Sequence, residues 1–138
     1  MATLDTNAVL RFLLQDDEEK AISVHDMMER ETCLIPIEVF AEAVYVLTKT
    51  YRIERSLIQQ KLLDVLQKEN VTTTNQRVVE TALRYFGETK LDFVDCLMVG
   101  YAIIEGHQIM TFDSKLKKIL SSSTDYNDEN TPQEKTEP

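Results

Sequence analysis

The sequence predicts an α/β protein, an α/β/α sandwich with a mostly parallel central sheet. Three observations lead there. Short apolar, β-rich runs recur through the first 120 of the 138 residues. Between them lie longer segments whose apolar residues repeat at helical spacing. Strands separated by helices need crossover connections, which give parallel pairing and helices on both faces of a sheet.

Residues 1–5 read as a short strand. Residues 7–14 follow as a helix with Val9, Leu10, Leu13 and Leu14 in one stripe. A second, more charged helix spans 17–31. Residues 33–37 are β-rich, and 38–51 form an unusually apolar helix. Residues 55–69 are amphipathic, with Leu57, Ile58, Leu62, Val65 and Leu66 at helical spacing. Residues 71–73 are a further strand, and Asn75 suits the cap of a helix running to about Gly87. Asp92 opens a helix that ends near Gly106. Residues 108–112 read as a strand, and Asp113 starts a last helix through Leu120.

From Ser121 the composition turns to Ser, Thr, Asn, Glu and Pro. Such a segment cannot bury enough apolar surface to offset its ordering entropy, so 121–138 is expected to be a disordered acidic tail behind a domain of residues 1–120. The net charge is −9; the tail holds five acids and one base, contributing −4 and leaving −5 on residues 1–120. An acidic domain repels a phosphate backbone at long range, so nucleic-acid binding would need a local basic groove or metal ions.

No apolar run approaches the roughly 18–20 residues of a membrane span. The first residues lack a basic start and a long apolar stretch, so a cytoplasmic protein is expected. Cys33 and Cys96 show neither zinc spacing nor a disulfide framework and read as reduced, buried thiols. His25 and His107 have no partner at ligand spacing. A metal would therefore be held by oxygen, which selects magnesium or manganese over zinc.

Five acids occupy informative positions. Asp5 and Asp113 each follow a strand and precede a helix, and each alone suits an N-cap. Asp92 and Asp95 open a helix, three apart on one face, where acids favour the helix dipole. Glu42 lies in Val39-Phe40-Ala41-Glu42-Ala43-Val44-Tyr45-Val46-Leu47. Apolar residues nearly surround it, so burial on more than one face is expected, with the carboxylate paired, hydrogen-bonded or metal-bound. In open parallel sheets, ligands bind beyond the carboxyl ends of the strands. Asp5, Glu42, Asp95 and Asp113 are all expected near that edge. Converging carboxylates repel one another, and a divalent cation relieves the repulsion. Such an ion activates water and holds a phosphate oxygen, the chemistry of phosphodiester hydrolysis.

The segments Leu4-Asp5-Thr6-Asn7, Ala41-Glu42-Ala43-Val44-Tyr45-Val46-Leu47, Asp92-Phe93-Val94-Asp95-Cys96-Leu97 and Thr111-Phe112-Asp113 resemble the four signature segments of PIN domains. Within that family the likeness is to VapC-type toxins of toxin–antitoxin pairs, and it covers residues 1–120. The resemblance implies an α/β/α fold and Mg2+- or Mn2+-dependent endonucleolytic cleavage of RNA, leaving a 5′-phosphate and a 3′-hydroxyl. It implies that Asp5, Asp95 and Asp113 hold metal, that Glu42 binds through water or orients it, and that Asp92 is a less constant fifth acid. Thr6, Asn7 and Thr111 match polar positions beside the acids and would orient carboxylates or water. A homodimer and inhibition by a cognate antitoxin are also implied. Candidates for RNA contact are Arg11, Lys49, Arg52, Lys90 and Lys115, each of which also suits an ordinary solvated surface. The alternative is a catalytically silent module of the same fold, used for binding or assembly. A phosphohydrolase with Asp5 as covalent nucleophile would want an acid at position 7, where Asn stands.

Overall fold

The computed structural model describes the backbone of residues 1–130 and the side chains of residues 1–123. Three strands make the sheet: β1 (Ala2–Thr3), β2 (Cys33–Ile35) and β3 (Val71–Thr73). They pair in the order β1-β2-β3, all parallel, with Ala2 opposite Cys33 and Leu34 opposite Thr72. Helices α1 (Thr6–Leu14) and α2 (Glu18–Arg30) connect β1 to β2, and α3 (Ile37–Lys49) and α4 (Arg55–Leu66) connect β2 to β3. After β3 come α5 (Gln76–Glu88), α6 (Phe93–Glu105) and α7 (Ser114–Asn130). The α/β class and the parallel sheet between helices are as expected.

Strands this short cannot carry the fold, and the helices supply most of the core. The buried stripe of α3 is Phe40, Ala43, Val44 and Leu47; that of α4 is Ile58, Leu62, Val65 and Leu66. Helix α5 adds Val78, Val79, Ala82, Leu83 and Phe86, and α6 adds Cys96, Leu97 and Val99. Each fully buried large side chain among them contributes about 1.5–3 kcal/mol. Both cysteines are free and buried, as expected. Burial pushes the Cys96 thiol up to about 12, so it stays protonated and unreactive.

Two sequence expectations fail. Residues 108–112 form no strand. Met110 is 80% exposed and Phe112 is 85% exposed, and the segment pairs with no strand of the sheet. Strand propensity expresses itself only against a ladder partner and a covered face, and this segment has neither. The last helix also does not end at Leu120. It continues to Asn130, with no Gly or Pro to stop it. Ser123 is buried, and its hydroxyl shares a 2.9 Å hydrogen bond with Tyr85 of α5. That contact holds the Ser-rich stretch against the domain, where intrinsic propensity is weak. Residues 131–138, the end of the expected tail, lie outside the described residues. Among the described residues no helix is long and apolar enough to cross a membrane.

Helices α5 and α6 approach closely because Gly100 has no side chain. A Cβ there would stand 2.7 Å from the Val78 carbonyl oxygen and 3.1 Å from its Cγ1. The nearer atom is backbone and cannot swing aside. Gly100→Ala gains about 1 kcal/mol of helix propensity. Overpacking costs about 1–3 kcal/mol and outweighs it. The variant should therefore unfold at lower urea concentration than the parent, and Gly100→Val lower still. An unchanged midpoint for both would show that the two helices are free to separate.

Candidate active site

Asp5 is the N-cap of α1, and one of its oxygens accepts the Ala8 amide at 2.9 Å. Asp113 does the same for α7, accepting Leu116 N at 2.8 Å. The capping reading is correct for both. It does not exclude ligation, because each carboxylate has a second oxygen that the cap does not use.

Glu42 departs from expectation: it is exposed, not buried. The core stripe of α3 takes Phe40, Ala43, Val44 and Leu47 and leaves the flank carrying Glu42 and Tyr45 in solvent, with Tyr45 64% exposed. Apolar neighbours in sequence did not become neighbours in space. Of the expected alternatives for its carboxylate, the hydrogen bond is present: Glu42 accepts from the hydroxyl of Thr6, the first residue of α1, at 2.5 Å. Thr6 thus ties Glu42 to the helix start that Asp5 caps. Thr111 has a comparable place, its hydroxyl oxygen accepting the Asp113 amide at 3.1 Å. Asn7 is exposed, and among the described residues its side chain makes no hydrogen bond.

Asp92 is the N-cap of α6, yet its side chain makes no cap hydrogen bond. Asp95 lies in the first turn of the same helix and is half-buried. Its carboxyl is pushed above the ordinary aspartate range, first by burial, then by the negative charges of Asp113 and Asp92. The irregular segment before α7 therefore brings Asp113 into the field of the α6 acids.

Glu42 is thus tied to the residue after Asp5, and Asp95 lies in the field of Asp92 and Asp113. Helices α3 and α6, which carry Glu42 and Asp95, pack against one another. Among the described residues no group of three or more His, Cys, Asp or Glu side chains is arranged to hold a metal ion. The donor chemistry nevertheless suits a hard cation, since every candidate ligand is a carboxylate. Burial and the charges of Asp113 and Asp92 both disfavour the ionised form of Asp95, and a bound cation would favour it.

The basic candidates divide. Arg11 is committed elsewhere, pairing with Asp16 at 3.3 Å and donating to the Tyr51 hydroxyl at 3.3 Å. Lys49, Arg52, Lys90 and Lys115 are exposed, and among the described residues none forms an ion pair. Sequence reasoning passed over Arg55, whose guanidinium donates to the carbonyls of Phe86 and Leu91 just before Asp92. The available signal was a cation in the first turn of a helix, where the dipole disfavours it.

The raised pKa of Asp95 has a stability consequence. The folded protein holds this proton to higher pH than the unfolded chain does. The contribution of Asp95 to stability therefore falls as pH rises from about 3.9, the ordinary aspartate value, through the raised value, and stays low above it. Asp95→Asn should be more stable than the parent at pH 7 in chelator, with the advantage shrinking toward pH 4. Urea unfolding at the two pH values measures this. Equal midpoints at pH 7 would mean that the acid carries no strain.

A family model described as PIN domain matches residues 2–120. A VapC ribonuclease of Aquifex aeolicus (strain VF5) is 28% identical over 125 residues, covering 86% of this chain and 92% of the relative. No solved structure matches.

Proposed function

The chain belongs to the PIN domain family, and from that premise we propose that it is a metal-dependent endoribonuclease, the toxin of a type II toxin–antitoxin pair. The observation that carries the reading is Asp95, half-buried at the start of α6 beside Asp92 and within reach of the charge of Asp113, inside the residues 2–120 that the family model matches. The relative named VapC ribonuclease, aligned over most of both chains, supports RNA as the substrate.

Mg2+ or Mn2+ would be held by Asp5, Asp95 and Asp113, with Asp92 as a further oxygen donor. When bound, the ion supplies charge to offset the phosphate and activates water. The chain's own residues do the rest. Thr6 holds the Glu42 carboxylate at the start of α1, where Glu42 would orient the attacking water. Thr111 holds the backbone of Asp113. Water adds to phosphorus, the bond to O3′ breaks and O3′ takes a proton, leaving a 5′-phosphate and a 3′-hydroxyl. Lys49, Arg52, Lys90 and Lys115 are exposed cations that would offset the repulsion between RNA and a chain of net charge −9. A cognate antitoxin, a homodimer and a cytoplasmic location belong to the same proposal.

Purified protein in Mn2+ should cut cellular RNA into discrete fragments, and chelator should stop it. Asp95→Asn should retain the fold and lose at least about 100-fold in rate. Parent and variant cutting equally would remove Asp95 from the site. Mn2+ should also raise the thermal midpoint of the parent, by an amount equivalent to about 2.7 kcal/mol at a hundredfold excess over Kd. Neither cleavage nor Mn2+ stabilisation would favour the silent binding module instead.

A further inference from the structure

We propose that Arg55 is a positioning residue for the acids at the start of α6, and this rests on reading Asp92 and Asp95 as metal ligands. Arg55 is the first residue of α4. A cation there opposes the helix dipole, and its side chain is occupied elsewhere. Nε donates to the Phe86 carbonyl at 2.9 Å and Nη2 donates to the Leu91 carbonyl. The guanidinium carbon also lies 3.8 Å from the centroid of the Phe86 ring.

These contacts fall on both sides of the turn between α5 and α6. The Phe86 carbonyl is among the last of α5 and has no partner within the helix, so Arg55 satisfies it. Leu91 immediately precedes Asp92, the N-cap of α6. The turn is braced from its other side by Thr89, whose hydroxyl donates to the Tyr85 carbonyl at 2.7 Å and accepts the Leu91 amide at 3.2 Å. Asp92 makes no cap hydrogen bond with its side chain, so the helix start does not hold its carboxylate. The path of the backbone through Leu91 decides where that carboxylate starts from, and with it the direction in which α6 presents Asp95. Arg55 holds the path with a rigid fork reaching two carbonyls at once. A lysine can satisfy one of them and cannot stack on Phe86 as a plane.

The test uses the full chain carrying Arg55→Lys or Arg55→Met, with Ile58→Val as a control that weakens the core from the same helix. Mn2+ affinity is read by the paramagnetic resonance of the free ion. Amide hydrogen exchange of residues 89–96 is read in chelator. Both Arg55 variants should bind Mn2+ about 10–100-fold more weakly than the parent. Exchange at 89–96 should quicken by about tenfold or more relative to the rest of the protein, as local opening becomes easier. Ile58→Val should leave Mn2+ affinity and the relative exchange pattern unchanged. Parent-like affinity in both Arg55 variants overturns the proposal, and so does parent-like exchange at 89–96. A parent that binds no Mn2+ overturns the proposed function instead, and exchange alone then decides whether Arg55 holds the turn.

Discussion

Asp95 sits half-buried at the start of α6, within the fields of Asp92 and Asp113. Burial disfavours its ionised form first and the neighbouring negative charges second, and only the surrounding structure keeps it in that place. Much of the architecture around α6 answers that demand. The α5–α6 pair is drawn close at Gly100, where even a methyl group would strike the Val78 carbonyl. Arg55 and Thr89 hold the turn ahead of Asp92. Buried Phe93, Cys96 and Leu97 lock the first turns of α6 into the core, so the acids are carried on a helix that cannot easily rotate.

Several side chains serve the fold and, in the proposed nuclease, the site as well. Asp5 and Asp113 satisfy helix amides with one oxygen and keep the other available. Capping stabilises a helix by about 1 kcal/mol, so their presence has a structural reason even before chemistry is considered. Asp92 and Asp95 differ. Asp92 occupies a cap position without capping, and Asp95 has its pKa raised instead of lowered. A residue that serves only the helix dipole has its charged form favoured. Asp95 has its charged form disfavoured, first by burial and then by the charges of Asp113 and Asp92, so the helix dipole does not account for its place.

The charge balance makes the same point at larger scale. A chain of net charge −9 is poorly suited to attract RNA at a distance. Exposed Lys49, Arg52, Lys90 and Lys115 offer local relief, whereas Arg11 is neutralised by Asp16 and held by Tyr51. In the proposed nuclease, recognition would then depend on short-range contacts and on cations held by the acids, not on long-range steering.

The sequence by itself determined the alternation of strand and helix, the parallel sheet, the stripes that became the core and the four segments that mark the family. These are local or periodic properties, and side-chain periodicity alone reports them. It also placed Asp5 and Asp113 correctly as helix caps and Asp92 and Asp95 at the start of a helix. Three matters were decided only by tertiary structure. Whether residues 108–112 pair depends on a partner strand, which no local pattern encodes. Whether Glu42 is buried depends on which flank of α3 another element covers; Phe40, Ala43, Val44 and Leu47 are covered and Glu42 is not. Whether the Ser-rich stretch after Leu120 folds depends on Ser123 finding the Tyr85 hydroxyl, 38 positions away in the chain. Arg55 belongs with these. Its side chain acts on carbonyls 31 and 36 positions away, and only packing brings them within reach.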